Sequence, residues 1–331
     1  MQFLIRFGVV SILAATLAGC AEPSADTTDQ ISAEEARVLD APVRAELPTA
    51  NPGSAWPDLD PYWYQGKAEI STYDLQQVRY GAVHPGELTL IFVTEDFLTD
   101  KQVKNDRYQN PNSTKVLKTN QLRRFTTGVY DYSVMSSVFT PVKRNEEAYT
   151  LKVTTSAQDW CGQSFSQLNY DDGQQYRWQW NSYFEVEGDR SGEVQADLIE
   201  DEILNLIRMG GAPTLPRGNI DVLPPLEALL LNHLPVEPVP ATAQVAEYAG
   251  DPIEGTTDLM TYTIAYPSLG RELAITFERE SPYRIERIRT QENSRGRELT
   301  TLAQRRATEL LPYWQMNKPS DVDRRADLGF E

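Results

Sequence analysis

Apolar and polar residues alternate with a period of two through much of this chain. The longest run is Tyr176-Arg177-Trp178-Gln179-Trp180-Asn181-Ser182-Tyr183-Phe184-Glu185-Val186. In it Tyr176, Trp178, Trp180, Phe184 and Val186 share one parity. A strand sends successive side chains to opposite faces, so the run predicts a long strand with Trp178, Trp180 and Phe184 turned to the core. Asp171-Asp172-Gly173 predicts the turn before it, and Gly162 to Tyr170 the strand before that. This meander is the element around which the other strands are expected to pair.

The same pattern recurs on both sides. Ala68, Ile70 and Thr72 alternate, then Tyr73 and Leu75 continue on the other parity, which calls for a bulge near Thr72. His84-Pro85-Gly86 predicts a turn that joins 67–80 to 87–95 as a hairpin. Val116 to Phe125 and Gly128 to Phe139 follow as strands, the second with Tyr130, Tyr132, Val134, Ser136 and Val138 on one parity. Tyr149, Leu151 and Val153 alternate into the meander. Near the C-terminus, Met260 to Tyr266, Leu273 to Phe277, Tyr283 to Thr290 and Glu298 to Arg305 are joined by connections too short for parallel crossovers. One stretch has helical spacing instead: Ala196 to Met209 puts Ile199, Ile203, Leu206 and Ile207 on one face. Asp197 is placed to cap it, Glu200, Asp201 and Glu202 suit its N-terminal dipole, and Gly210-Gly211 stops it. Pro224 to Leu234 reads equally as helix or strand. The fold class is mainly β (α+β): a curved antiparallel sheet of many strands with one covering helix. A single β-rich domain is expected over 56–316, with a charged tail at 317–331.

The N-terminus has a different grammar. Arg6 precedes an apolar stretch, Val9 to Leu17, too short to span a bilayer comfortably, and Leu17-Ala18-Gly19-Cys20 follows. Small residues before a cysteine at this place match the bacterial lipobox. Residues 1–19 then read as a signal peptide, and Cys20 as the lipidated residue. Ala21 in place of aspartate favours the outer membrane of a Gram-negative bacterium, with the body facing the periplasm. Residues 20–55, rich in proline and small polar residues, read as a flexible tether.

Charge narrows the partners. With 31 Lys and Arg against 48 Asp and Glu, the 331-residue chain carries a formal charge of −17. Such a surface argues against nucleic acid and anionic lipid. A local exception is the Arg-rich stretch around Arg284, Arg287 and Arg289, which reads either as a solvated face laced with glutamates or as a site for an anionic ligand. The chemical inventory is otherwise thin. No G-x-S-x-G, G-x-x-x-x-G-K-[ST], H-E-x-x-H or G-x-G-x-x-G motif occurs. Cys161 reads as a buried, inert thiol, His84 as an exposed turn residue, and His233 as partly buried after a leucine run. Their spacing fits no short metal-ligand pattern, so no metal and no cofactor are expected. Glu95-Asp96, Asp171-Asp172 and Glu185-x-Glu187-x-Asp189 are the candidate carboxylate pairs, which at strand ends are more often solvated turns. No catalytic residue is assigned.

Gly66-Lys67-Ala68-Glu69-Ile70, Ile91-Phe92-Val93-Thr94-Glu95-Asp96-Phe97, Gln158-Asp159-Trp160-Cys161-Gly162, Ser182-Tyr183-Phe184-Glu185 and Leu310-Leu311-Pro312-Tyr313-Trp314 carry a family resemblance. From about Trp63 to Trp314 the chain resembles an uncharacterised family of bacterial lipoproteins. Some members are labelled septum-formation inhibitor Maf. The S-x-S-P-R-R loop of the Maf pyrophosphatases is absent here. The resemblance implies a lipoprotein and carries no catalytic residue with it. The expectation is a non-enzymatic binding or envelope-assembly factor, held to the membrane by its N-terminal lipid, with an apolar ligand or another envelope protein as partner. An envelope hydrolase using paired carboxylates on glycan or peptide is the alternative.

Overall fold

The computed structural model describes residues 44–46, 57–143, 149–171 and 175–330. The expected signal peptide, Cys20 and nearly all of the tether lie outside the described residues, as do 144–148 and Asp172-Gly173. The alternating segments become β1 (Arg44–Glu46), β2 (Ala68–Arg79), β3 (Ala82–Leu98), β4 (Val103–Lys104), β5 (Ser113–Thr127), β6 (Tyr130–Pro141), β7 (Lys152–Gln158), β8 (Gln163–Tyr170), β9 (Gln175–Ser182) and β10 (Asp189–Gln195). The C-terminal set is β11 (Leu198–Ile199), β12 (Gly218–Leu223), β13 (Val239–Glu247), β14 (Leu259–Tyr266), β15 (Arg271–Glu278), β16 (Ile285–Ser294) and β17 (Arg297–Leu311). Among the described residues two α-helices occur, α1 (Ile203–Gly210) and α2 (Leu226–Asn232).

Short connections dictate antiparallel neighbours. From β2 the sheet runs through β3, β5, β6, β7, β8 and β9 to β10, with β4 paired to the end of β3. The C-terminal meander runs from β12 to β17 in order. One long-range pairing, β17 with β2, joins the two halves into a single curved sheet. β11 is a parallel exception beside β12, and β1 pairs with β13. The centre is therefore β17, β2 and β3, and the tryptophan meander lies towards one side. The expected bulge falls opposite Thr72 and Tyr73, where β17 carries Arg306 as the extra residue.

Side chains explain the departures from the simple alternation. His84-Pro85-Gly86 lies inside β3; the turn is at Tyr80-Gly81, both with positive φ. Gly86 is needed because a Cβ there would fall 2.3 Å from the Arg124 carbonyl oxygen on β5. The tryptophan strand ends at Ser182, so Phe184 is half-buried and Val186 is exposed in the turn that follows. Tyr176 and Trp180 do enter the core, with Trp178 half-buried beside them. The end of the chain is no free tail. Pro319–Leu328 forms a 3-10 helix against β2 and β17, where the Leu328 carbonyl accepts a hydrogen bond from Thr72 Oγ1 at 2.7 Å. That cover buries Ala68 to Tyr73 on both faces.

The one segment with helical spacing is shorter than expected. Residues 198–199 pair as β11, 200–202 make a 3-10 turn, and α1 runs from Ile203 to Gly210. Asp197 accepts a hydrogen bond from the Asp221 N–H instead of capping α1. Gly211, at φ 64°, closes it, as the glycine pair predicts. α1 covers no outer surface. It lies in the concavity of the sheet, buried at every residue, within a core that draws on β2, β3, β5 and β12 to β17. α2 packs on β6, β7 and β8 over a second core of Val138, Leu168, Tyr176 and Trp180.

Trp180 and Trp160 separate core from surface. Trp180→Ala, at 4% exposure, is expected to cost about 3–5 kcal/mol. Trp160→Ala, at 69% exposure, should cost about 0.5 kcal/mol or less. Urea unfolding of both variants checks this; equal midpoints would contradict the burial described.

Candidate functional site

A helix enclosed on all sides must have its polar groups answered from within the protein. The run from Glu200 to Arg208 carries five such groups and each has a partner on a different segment. Glu200 accepts two hydrogen bonds from Arg271 of β15, both 2.6 Å, and one from the Tyr266 hydroxyl at 2.5 Å. Asp201 accepts from the Leu226 N–H at the start of α2, at 3.0 Å. Glu202 accepts from Thr150 at 2.6 Å. Asn205 accepts from Thr119 and donates to the Leu117 carbonyl and to Thr140, at 3.0 and 2.9 Å. Arg208, 1% exposed, pairs with the fully buried Glu69 at 2.5 Å, and its guanidinium lies over the rings of Trp63 and Phe92.

At the N-terminal end of this run the packing opens into a cavity of about 110 Å³. It lies between Glu200, Asp201 and Leu204, the inner side of α2, and the inward faces of β2, β5, β15, β16 and β17. The inward parity of these strands changes character along its length. On β2, Tyr73 and Leu75 give way to Gln77 and Arg79; on β5, Leu117 gives way to Thr119, Gln121 and Arg123; on β16, Ile288 gives way to Thr290 and Glu292. The apolar half meets α1, and the polar half lines the cavity.

Charge in the cavity is largely paired. Arg271 is held by Glu200. Arg123 Nε lies 2.8 Å from Glu227 of α2, and its Nη1 donates to Gln77 at 2.6 Å. Arg79 donates to the Leu231 carbonyl at 2.5 Å and lies over the rings of Tyr80 and Tyr132. Burial pushes the Asp201 carboxyl up to about 7, with Glu200 and Glu227 adding to the rise and the Leu226 N–H opposing it. Burial also raises Glu292, against the pull of Arg271, Arg123 and Arg79.

The residues singled out from sequence lie elsewhere. Arg284, Arg287 and Arg289 are each engaged: with Glu278 at 3.5 Å, with Gln304 and Tyr248 at 2.7 and 3.0 Å, and with Glu272 at 2.8 Å. Glu95 pairs with Lys118, Asp96 with Lys115, and Asp171 with Arg177. Glu185 and Glu187 sit in a turn, not on a strand, and Glu187 meets His233 at 2.5 Å. Hydrogen bonds from Ser182, His233 and Trp180 hold the Glu187 carboxyl below its usual range, against its burial. His233 is exposed and forms the left-handed C-cap of α2; His84 is half-buried, its Nε2 3.1 Å from the Arg79 carbonyl oxygen. Cys161 is exposed, because the β7–β8 turn projects with Trp160 into solvent. Among the described residues no group of three or more His, Cys, Asp or Glu is arranged to hold a metal ion, and no helix is long and apolar enough to cross a membrane. The cavity residues Arg79, Arg123, Arg271, Glu227 and Glu292 were missed. Their signal is polar residues on the inward parity of strands.

No protein-family model and no curated protein matches the chain. A solved structure similar to it in outline is the crystal structure of a β-barrel-like protein of the domain of unknown function DUF1849 from Brucella abortus. The TM-score is 0.46 at 8% sequence identity, over 74% of this chain and 98% of that one.

Asp201 gives the site a pH dependence of stability. Its carboxyl titrates near 3.8 unfolded and near 7 folded, so the folded chain holds the extra proton between these values. Stability from this group is full below about 3.8 and is lost as pH rises through about 7. Asp201→Asn keeps an acceptor for the Leu226 N–H and is expected to flatten that decline. Urea midpoints measured from pH 5 to pH 8 check it; parallel profiles for wild type and variant would overturn it.

Proposed function

We propose that the chain is an outer-membrane lipoprotein of the resembled family, tethered through Cys20, whose body binds a small polar solute in the cavity beneath α2. The carrying observation is the cavity itself, a charged pocket where the sheet's inward faces turn polar. The rest of the concavity is occupied by α1, which favours a polar solute over an apolar one. One feature favours binding over turnover. Glu200 and Glu227, the carboxylates best placed to act as base or nucleophile, are tied to arginines. The guanidiniums occupy the carboxylate oxygens that a substrate proton or reacting atom would have to reach. A hydrolase is the second reading, favoured by Asp201, a carboxyl poised near neutral pH beside a second carboxyl group, Glu200.

Two measurements test this reading. Cys20→Ser is expected to block lipid attachment, so that the protein leaves the membrane fraction or remains unprocessed. An unchanged mature mass in the outer membrane would sink the anchoring. For the cavity, thermal unfolding is measured in concentration series of sugars, organic acids, amines and amino acids. One class should raise the midpoint, by the equivalent of about 2.7 kcal/mol at a hundred times its dissociation constant. Arg123→Ala should weaken the response. No rise with any class would end the binding reading.

A further inference from the structure

Beyond its pairs, the cavity holds two charged side chains with no ion-pair contact of their own. Arg271 is neutralised by Glu200, Arg123 by Glu227, and Asp201 is met by the Leu226 N–H. Arg79 and Glu292 remain, and among the described residues neither makes an ion pair. Arg79 Nε is buried without a hydrogen-bond partner. Glu292 is half-buried and faces the guanidiniums of Arg271, Arg123 and Arg79 without touching one. Topology keeps the two apart. Arg79 ends β2 and Glu292 lies on β16, and β17 runs between those strands. Two strand spacings separate the backbones by about 10 Å. Both residues also line a neighbouring hollow of 240 Å³ formed with Tyr80 and Arg295, so the two charges stand where the cavity meets the rim of the sheet.

We propose that this cavity is a binding site for a small α-amino acid, its carboxylate held by Arg79 and its ammonium by Glu292. The proposal rests on the reading of the cavity as a binding site and names the ligand class. An anion alone would answer Arg79 and leave Glu292 uncompensated in the same enclosure. A cation alone would do the reverse. A zwitterion answers both, and an uncompensated charge in a partly closed space is what costs most. Size agrees. At 10–15 Å³ per water position, the cavity has room for roughly eight waters, comparable to an amino acid of about five to eight non-hydrogen atoms. Leu204, Leu231, Leu273, Ile275 and Ile288 give the remaining wall an apolar lining, which suits a short aliphatic side chain.

The test compares matched skeletons on the purified protein. Glycine, alanine and valine are titrated calorimetrically beside propionate and ethylamine, which each lack one of the two charges. At least one amino acid is expected to bind, with propionate and ethylamine weaker by about tenfold or more, some 1.4 kcal/mol. Glu292→Gln and Arg79→Gln should each lower that affinity about tenfold or more, with Glu292→Asp retaining part of it. Far-UV circular dichroism on each variant verifies that the sheet is intact, and the ligand comparison on the unaltered protein stands without them. Propionate or ethylamine binding as tightly as the amino acids would overturn the zwitterion, as would an unchanged affinity in folded Glu292→Gln. A response only to sugars would also overturn it, while leaving a polar binding cavity in place. No response to any solute would remove the cavity reading itself.

Discussion

The constraint on which the rest of this structure depends is the enclosure of α1. A helix with one apolar stripe normally faces solvent with the other side. Here the other side is also inside, and it carries ionisable groups. Burying such groups without partners costs several kcal/mol each, so the surrounding strands must present complementary atoms at fixed heights. Arg271 and Tyr266 fix one end, Thr119 and Thr140 the middle, and Glu69 the other. A one-residue slip of any of these strands would turn its partner away from the helix. These polar contacts thereby reinforce the register that the buried apolar face of the sheet already sets.

The two ends of that helical run use similar chemistry to different effect. At the Arg208 end, Trp63 and Phe92 lie against the guanidinium and Tyr62 donates to Glu69. Every charge is paired there and water is shut out, which is what a structural ion pair requires. At the Glu200 end, packing is incomplete and a cavity remains with charges in excess of its pairs. The difference comes from the strands. Their inward parity is apolar where it meets the body of α1 and polar towards the rim. An interior that changes polarity along one axis has a sealed end and an open, polar end.

Much of the fold was legible. The alternation of Tyr130 to Val138, the hairpin of 67–95 and the C-terminal meander all appear as antiparallel strands, because short connections leave a chain few other options. Gly210-Gly211 marked the helix end correctly. What misled was the assumption that polar residues on a strand point outward. Gln77 and Arg79 follow Tyr73 and Leu75 on the inward parity, yet the alternation of apolar residues stops before them and does not single them out. The groups they meet, Arg123 on β5 and the Leu231 carbonyl on α2, lie 46 and 152 residues away, and no local window joins them. The aromatic run after Ser182 failed for another reason. Glu187 N–H and Gly188 N–H both return to the Phe184 carbonyl, closing a turn that period-two counting does not see. The C-terminal segment reads as a charged tail, although Leu328 and Phe330 give it apolar anchors against Ile70 and Leu311.

The pairing of β17 with β2 also has a history in time. It brings Leu302 to Leu311 against Ala68 to Gln76, so the centre of the sheet is made from segments near opposite ends of the sequence. Any assembly of β2 to β10 that precedes the arrival of β17 leaves one side of β2 open. Throughout that interval β2 is an unfinished edge, able to pair with any strand that reaches it. Loop closure over such a span is slow, and it comes last. The sheet therefore has no closed centre until that pairing forms, and its greatest exposure to wrong partners falls in the interval before it.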